Sequence, residues 1–329
     1  MLDFKTKSNF KFFQCIGIYF ALKSPLTLLL SDSVCCYTHN MNIHIYLNLL
    51  RCNQYTKNLF CLIPCFYGNE LFDICNFTKS VITFVIFCMT SSAVYILNDL
   101  ADYESDKRHK YNSSRAIASG KISRPQASAA GCILCNLALF LAYFVDLYVM
   151  VCIALYIFVN LLYCLKLKSV FLVDLFCIVA GFELRTFAGC AAIEHSMTAF
   201  LFFEVFIFCS MLVLSKRLIE RRNDKYSRAT LKYYKESLCK KAMLCLAVIL
   251  NFVWISYVFY GEPAQRLSQQ SILLLALASL FVFNSTVRYL QLVYEKVADY
   301  DFYSLLYRDR LLAVNAISFI ILNMFALYL

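Results

Sequence analysis

Apolar runs of about 18–22 residues alternate with short polar, mostly basic stretches along nearly the whole chain, and each run is long enough to cross a hydrocarbon core of about 30 Å as a helix. The pattern predicts nine spans, at about 58–75, 80–98, 126–144, 147–165, 170–193, 197–215, 241–260, 271–290 and 311–328. Backbone groups inside a bilayer have no water to bond, so helix is the expected state of each run. The fold class is therefore an all-α, polytopic membrane bundle. Alternation puts the stretches at about 41–57, 99–125, 166–169, 216–240 and 291–310 on one side.

Charge says which side that is. Of the 27 Lys and Arg beyond residue 40, 24 lie in those five stretches or at their edges. Lys79 and Arg266 fall on the other side, and Arg185 lies inside a span. Such asymmetry places the basic stretches in the cytoplasm and predicts an N-in/C-out integral membrane protein. The net charge of +10 is then mostly topology, and a nucleic-acid partner is not required. With 61% hydrophobic and 16% charged residues, a water-soluble enzyme is excluded. Most of the 17 Cys sit inside apolar runs. Cys132 and Cys135 form a CxxC with no second pair and no His nearby, which reads as packing rather than a zinc site.

Residues 1–40 fit this pattern poorly. Lys5, Lys7 and Lys11 precede an apolar stretch that Lys23 and Pro25 interrupt, so it is neither a full span nor a well-formed signal peptide. The expectation is an atypical extension over 1–40, with Met41 as the natural start, followed by one membrane domain over 41–329.

The main candidate for chemistry is NDLADYESD, where the second span leaves the membrane. At about 100° per residue, Asn98, Asp99, Asp102 and Asp106 fall on one helical face. Carboxylates so close together repel one another, and a hard divalent cation such as Mg²⁺, bridging to a diphosphate, relieves that repulsion. The following loop carries Lys107, Arg108, Lys110, Arg115, Lys121 and Arg124. An acidic face beside a basic loop reads as a polyphosphate clamp, with Arg115 and Lys121 as the expected phosphate contacts.

Further polar groups recur at later span ends. YCLKLKSVFLVD holds Tyr163, Lys166, Lys168 and Asp174, and the same span carries Glu183 and Arg185. For Arg185 two readings stand open: contact with a phosphate or lipid headgroup, or a pair with Glu204 of the next span. LSKRLIERR adds Lys216 and Arg217, nearest the cavity, and Arg308, Asp309 and Arg310 form a local charge network before the last span. No Walker loop, GxGxxG, GxSxG or HExxH is present, and of the four His only His109 lies near the acidic run. A covalent nucleophile is not expected. Metal-assisted displacement of a diphosphate is.

These residues resemble the UbiA superfamily of intramembrane prenyltransferases, nine-helix proteins with an NDxxDxxxD motif. Over about residues 50–312 the chain is most similar to the decaprenyl-phosphate phosphoribosyltransferase branch. RCNQYTKN resembles its RPxQWxKN and thereby adds Lys57. SRAIASGKIS resembles RPIASGxxS, AGFELRTFAG resembles GFxLRxxAG, SKRLIE resembles KRxxE, and LLYRDRLL resembles LLRDRVL. The loop departs from the branch at Lys110, Asn112, Ser113 and Ala116, losing two expected cations. The aromatic prenyltransferases carry a second DxxxD, whereas here Asp174 is followed at the fourth position by Ile178.

The resemblance implies a UbiA-type bundle with a cytoplasmic-side active site in the bacterial inner membrane. The implied reaction takes a 5-phosphoribosyl group from 5-phosphoribose diphosphate to a polyprenyl phosphate, with Mg²⁺ on Asn98, Asp99, Asp102 and Asp106. The product would be a lipid-linked sugar precursor for cell-envelope glycans. Asp102, Asp106 and Lys166 are the expected catalytic residues. Lys57, Arg115, Lys121, Tyr163, Lys166, Lys168, Asp174, Arg185, Lys216 and Arg217 are the expected substrate contacts. Two other readings are a UbiA-type prenyltransferase acting on an aromatic or other small acceptor, and a transporter or membrane scaffold.

Overall fold

The computed structural model of the chain describes residues 45–108, 112–223, 229–295, 305 and 308–328. The extension 1–40, the expected start at Met41, and His109 and Lys110 lie outside the described residues. A unit running from Leu47 to Leu329 carries all the elements below.

Eight of the predicted spans are continuous helices long and apolar enough to cross a membrane, and no strand occurs among the described residues. The helices are α1 Ile63–Tyr67, α2 Ile74–Ala101, α3 Tyr103–Arg108, α4 Arg124–Val145, α5 Leu147–Leu165, α6 Val173–Ala192, α7 Ala199–Asn223, α8 Glu236–Tyr260, α9 Glu262–Arg266, α10 Gln269–Tyr294 and α11 Arg310–Tyr328. Several outrun their apolar stretch. In α7 about two extra turns carry Lys216, Arg217 and Glu220 out of the span without leaving the helix.

The ninth predicted span, at 58–75, takes another form. A 3₁₀ segment, Cys52–Leu62, leads into the short α1. Pro64 has no N–H to bond back and begins the α-helical turn, and the chain reverses near Asn69, whose φ is +63°. At about 2.0 Å per residue in 3₁₀ winding and about 1.5 Å in α, these sixteen residues still reach about 30 Å. The segment packs against α2 and α6. Gly189 permits the approach, since a Cβ there would lie 2.2 Å from the Cys61 carbonyl oxygen.

Sequential helices are neighbours, from α2 and α4 through to α10 and α11, and connections as short as Asp146 alone turn each back against the last. Phe60, Val179, Met211, Met243 and Val293 fill one part of the interior, and Ile86, Phe87, Ile153 and Ala188 another. Phe140, Phe144, Tyr148, Phe158 and Phe252 point outward, as a bundle surrounded by lipid requires. Cys132 is exposed on α4, and the described cysteines are free. Antiparallel alternation brings the C-terminal ends of α2, α5, α7 and α10 to one end of the bundle, together with the starts of α4, α6, α8 and α11. Ion pairs across that end build the candidate site.

Candidate active site

The acidic run does not continue as one unbroken helix. α2 ends at Ala101, Asp102 occupies the cap position with φ −91° and ψ 5°, and α3 restarts at Tyr103. Backbone bonds bridge the break, from Asp102 N–H to Asn98 O at 2.9 Å and from Asp106 N–H to Asp102 O at 2.8 Å. Asp99 and Asp106 are buried, while Asp102 is partly open.

Each aspartate already holds a cation. Arg115 Nη1 lies between two of them, 3.1 Å from Asp99 Oδ1 and 2.6 Å from Asp106 Oδ2. Asp99 Oδ1 also accepts from Arg51, whose guanidinium sits 4.9 Å from the Tyr95 ring centroid. Asp102 Oδ1 accepts from Lys168 Nζ at 2.7 Å. The Cys164 thiol donates to Asn98 Oδ1 at 3.0 Å, and Asn112 donates to Asp106 at 2.9 Å. Three carboxylates thus meet three cations, and the cluster is close to neutral. Among the described residues no three His, Cys, Asp or Glu side chains converge as a ready metal cage.

Local sequence explains how these cations are placed. Ala116, Ile117, Ala118 and Ile122 are buried, so the loop behind Arg115 is anchored by its apolar side chains. Gly120 turns the loop with φ +75°, a conformation glycine takes without steric cost. Lys168 stands in the 3₁₀ turn Leu167–Ser169 between α5 and α6. Arg51 itself has left-handed backbone, φ 51° and ψ 46°, which costs a non-glycine residue about 1 kcal/mol or more.

A second network lies behind the first. Arg217 Nε is 2.9 Å from Asp174 Oδ2, and its other nitrogens reach Glu220 at 2.7 Å and the Tyr163 hydroxyl at 3.3 Å. Tyr234 donates to Asp174 Oδ1 at 2.5 Å, and burial next to that carboxylate pushes its phenol pKa up. Arg185 is buried deeper, donating to Asn58 at 2.8 Å, to the Gly181 carbonyl at 2.5 Å and to the Tyr156 hydroxyl at 2.9 Å. The Phe87, Tyr156 and Phe182 rings surround its guanidinium.

The structure therefore divides the residues singled out in the sequence. Asn98, Asp99, Asp102, Asp106, Arg115 and Lys168 come together. Lys121 and Lys166 are exposed at the same end, Lys216 is exposed on α7, and Lys57 donates to Gln54. Asp174 and Arg217, expected against substrate, are buried and pair with each other, and Arg217 pairs with Glu220 as well. Arg185 does not pair with Glu204. Its donors go to neutral oxygens, and Glu204 Oε1 is buried without a partner.

Among the contributors not assigned from sequence are Arg51, Cys164 and Tyr234. Arg51 opens the RCNQYTKN stretch and had a signal there. Cys164 and Tyr234 had none, since their contacts span 66 and 60 residues of chain.

The chain is similar to known proteins in sequence and in fold. The model of the UbiA prenyltransferase family covers residues 68–306. The uncharacterized protein y4nM of Sinorhizobium fredii is 34% identical over 176 residues, 53% of this chain and 34% of that protein. A decaprenyl-phosphate phosphoribosyltransferase of Mycolicibacterium smegmatis is 28% identical over 210 residues, 62% of this chain and 64% of that one. The chain thus spans about a third of the first relative and just under two thirds of the second. Among solved structures, a UbiA homologue from Archaeoglobus fulgidus bound to DMAPP and Mg²⁺ superposes with a TM-score of 0.66 at 15% identity, over 86% of this chain and 98% of that one.

Proposed function

The chain belongs to the UbiA prenyltransferase family, and from that premise we propose that it moves a 5-phosphoribosyl group from 5-phosphoribose diphosphate to a polyprenyl phosphate at the cytoplasmic end of the bundle. The observation that carries the reading is the single acidic run. Asp99, Asp102 and Asp106 pair with partly exposed cations, whereas Asp174, which Ile178 follows at the fourth position, is buried against Arg217 and Tyr234.

The donor set fits Mg²⁺. Three carboxylates and the Asn98 amide oxygen are hard ligands, and Arg115 Nη1 already occupies a cation position between Asp99 and Asp106. When bound there, Mg²⁺ supplies charge neutralisation for the departing pyrophosphate. Asn98, Asp99, Asp102 and Asp106 would hold the metal at the diphosphate end of the donor. Arg115, Lys121, Lys166 and Lys168 offer charge-assisted bonds to phosphate oxygens, and Lys57 and Lys216 extend the same basic rim. A lipid phosphate oxygen attacks the anomeric carbon, the new C–O bond forms, and the bond to pyrophosphate breaks. No residue of this chain becomes covalently attached.

Arg217, Asp174 and Tyr163 position the floor of the site, and Arg185 braces α6 against α5 and the 3₁₀ segment. The excess of basic residues at this end supports an N-in/C-out orientation in the inner membrane, with the lipid product serving cell-envelope glycan synthesis.

The test uses membranes containing the protein, radiolabelled 5-phosphoribose diphosphate, Mg²⁺ and a polyprenyl phosphate. Chelator-sensitive label in the lipid extract is expected. If none appears while the same membranes join a prenyl diphosphate to an aromatic acid, the acceptor and donor assigned here are wrong.

A further inference from the structure

The cations on the aspartates come from three separate elements: Arg51 from the start of the 3₁₀ segment, Arg115 from the loop after α3, and Lys168 from the turn between α5 and α6. None is a chain neighbour of the carboxylate it neutralises. Arg51 is 48 residues from Asp99, Arg115 is 16 from it, and Lys168 is 66 from Asp102. All three are partly accessible, with side-chain exposures of 22%, 28% and 33%, unlike Arg217 at 1%. Long side chains at an open rim can change partner at small conformational cost. The buried Arg217 cannot.

We propose that Arg51, Arg115 and Lys168 are resident counter-ions of the acidic run, which pass from carboxylate to phosphate when metal and diphosphate bind, so that the site takes the two ligands as one unit. The proposal rests on the metal–diphosphate reading above and adds Arg51 to the site. A divalent cation alone must displace the three side chains and leave their charges without partners at a membrane surface. A diphosphate alone meets carboxylates that still repel it. Bound together, the metal takes the carboxylates and the diphosphate takes the displaced Arg and Lys, so every charge keeps a partner. The result is positive coupling between the two ligands, reciprocal by thermodynamic necessity. It also disfavours idle occupation of the site by metal without substrate.

Opposite effects on the two ligands distinguish this exchange from an ordinary phosphate contact. In Arg51→Gln and Lys168→Gln the carboxylates lose a competing cation and the diphosphate loses a partner. Mn²⁺ is the probe for the metal, followed by its free electron-paramagnetic-resonance signal on the full chain in lipid nanodiscs. Inorganic pyrophosphate at saturating Mn²⁺ is the probe for the diphosphate.

Each variant is expected to bind Mn²⁺ alone about tenfold more tightly than the unmodified protein, and pyrophosphate about tenfold more weakly. Either variant suffices if the other fails to fold, as judged by its thermal midpoint. Unchanged or weaker binding of Mn²⁺ alone in the folded variants overturns the exchange and leaves the metal–diphosphate reading intact. Absence of Mn²⁺ and pyrophosphate binding in the unmodified protein overturns both.

Discussion

Arg217 of α7 and Asp174 of α6 face each other at 2.9 Å with side-chain exposures of 1% and 0%, which makes them the most deeply buried ion pair among the described residues. Taking two charges out of water is expensive, and the cost is repaid only while both remain. Asp174→Ala is therefore expected to destabilise the bundle by about 1–3 kcal/mol, because Arg217 keeps only Glu220 and the Tyr234 hydroxyl loses its acceptor. The double change Asp174→Leu with Arg217→Met should not recover that loss, because it leaves the buried Glu220 carboxylate without its cation. Thermal unfolding in detergent checks both. An unshifted midpoint in Asp174→Ala, accompanied by weaker substrate binding, would show that the carboxylate touches substrate instead.

Asp102 stands at the rim with Lys168 as its partner and packs little of the core. Asp102→Asn should lower turnover at least about a hundredfold while leaving membrane insertion and thermal midpoint near those of the unmodified protein. Retained turnover would remove the acidic run from the chemistry.

Cys164 donates its thiol proton to Asn98 Oδ1 and so fixes which way the amide oxygen points. Cys164→Ser keeps a donor of similar size, and metal affinity should stay within about threefold. Cys164→Val removes the donor and should weaken Mn²⁺ binding about fivefold, the equivalent of one hydrogen bond near 1 kcal/mol. Equal affinities in the two variants would mean that the amide needs no such support.

Asp309 has two duties. Its Oδ2 accepts from Arg288 at 2.7 and 3.1 Å, and its Oδ1 accepts the Leu312 N–H at 3.0 Å, capping α11. The hydrogen bond from Arg288 holds its carboxyl below the usual carboxylate range. A lowered value in the folded state contributes stability that is fully present above the ordinary value of about 4 and fades as pH falls through the folded value. Asp309→Asn keeps a good cap but loses the ion pair, so it should be less stable near pH 7 and match the unmodified protein in strong acid. Asp309→Ala should lose about 1 kcal/mol more. Unfolding midpoints from pH 7 down into strong acid test this, and a gap that does not close there contradicts it.

Arg185 puts a full charge among three aromatic rings with only neutral oxygens as partners. Tyr156→Phe removes one bond to a charged donor and should cost about 1.5–3 kcal/mol. A negligible shift in thermal midpoint would mean that another group takes over the guanidinium.

The chain's one-dimensional pattern was enough for the membrane character, eight of the nine crossings and the acidic run. Length and hydropathy decide whether a segment can lie in lipid, and no tertiary contact is needed for that decision. The spacing of Asn98, Asp99, Asp102 and Asp106 was legible for the same local reason. Other features required the folded chain. Pro64 and close packing on Gly189 accompany a 3₁₀ segment in place of a regular first span, and α2 breaks at Asp102 where a continuous helix was expected. Above all, the partner of each charge was invisible. Arg51 finds Asp99 across 48 residues, Lys168 finds Asp102 across 66, and Tyr234 finds Asp174 across 60. A sequence shows that a charge must be neutralised. Which side chain neutralises it is set by where separate helix ends meet, and only the tertiary structure brings those ends together.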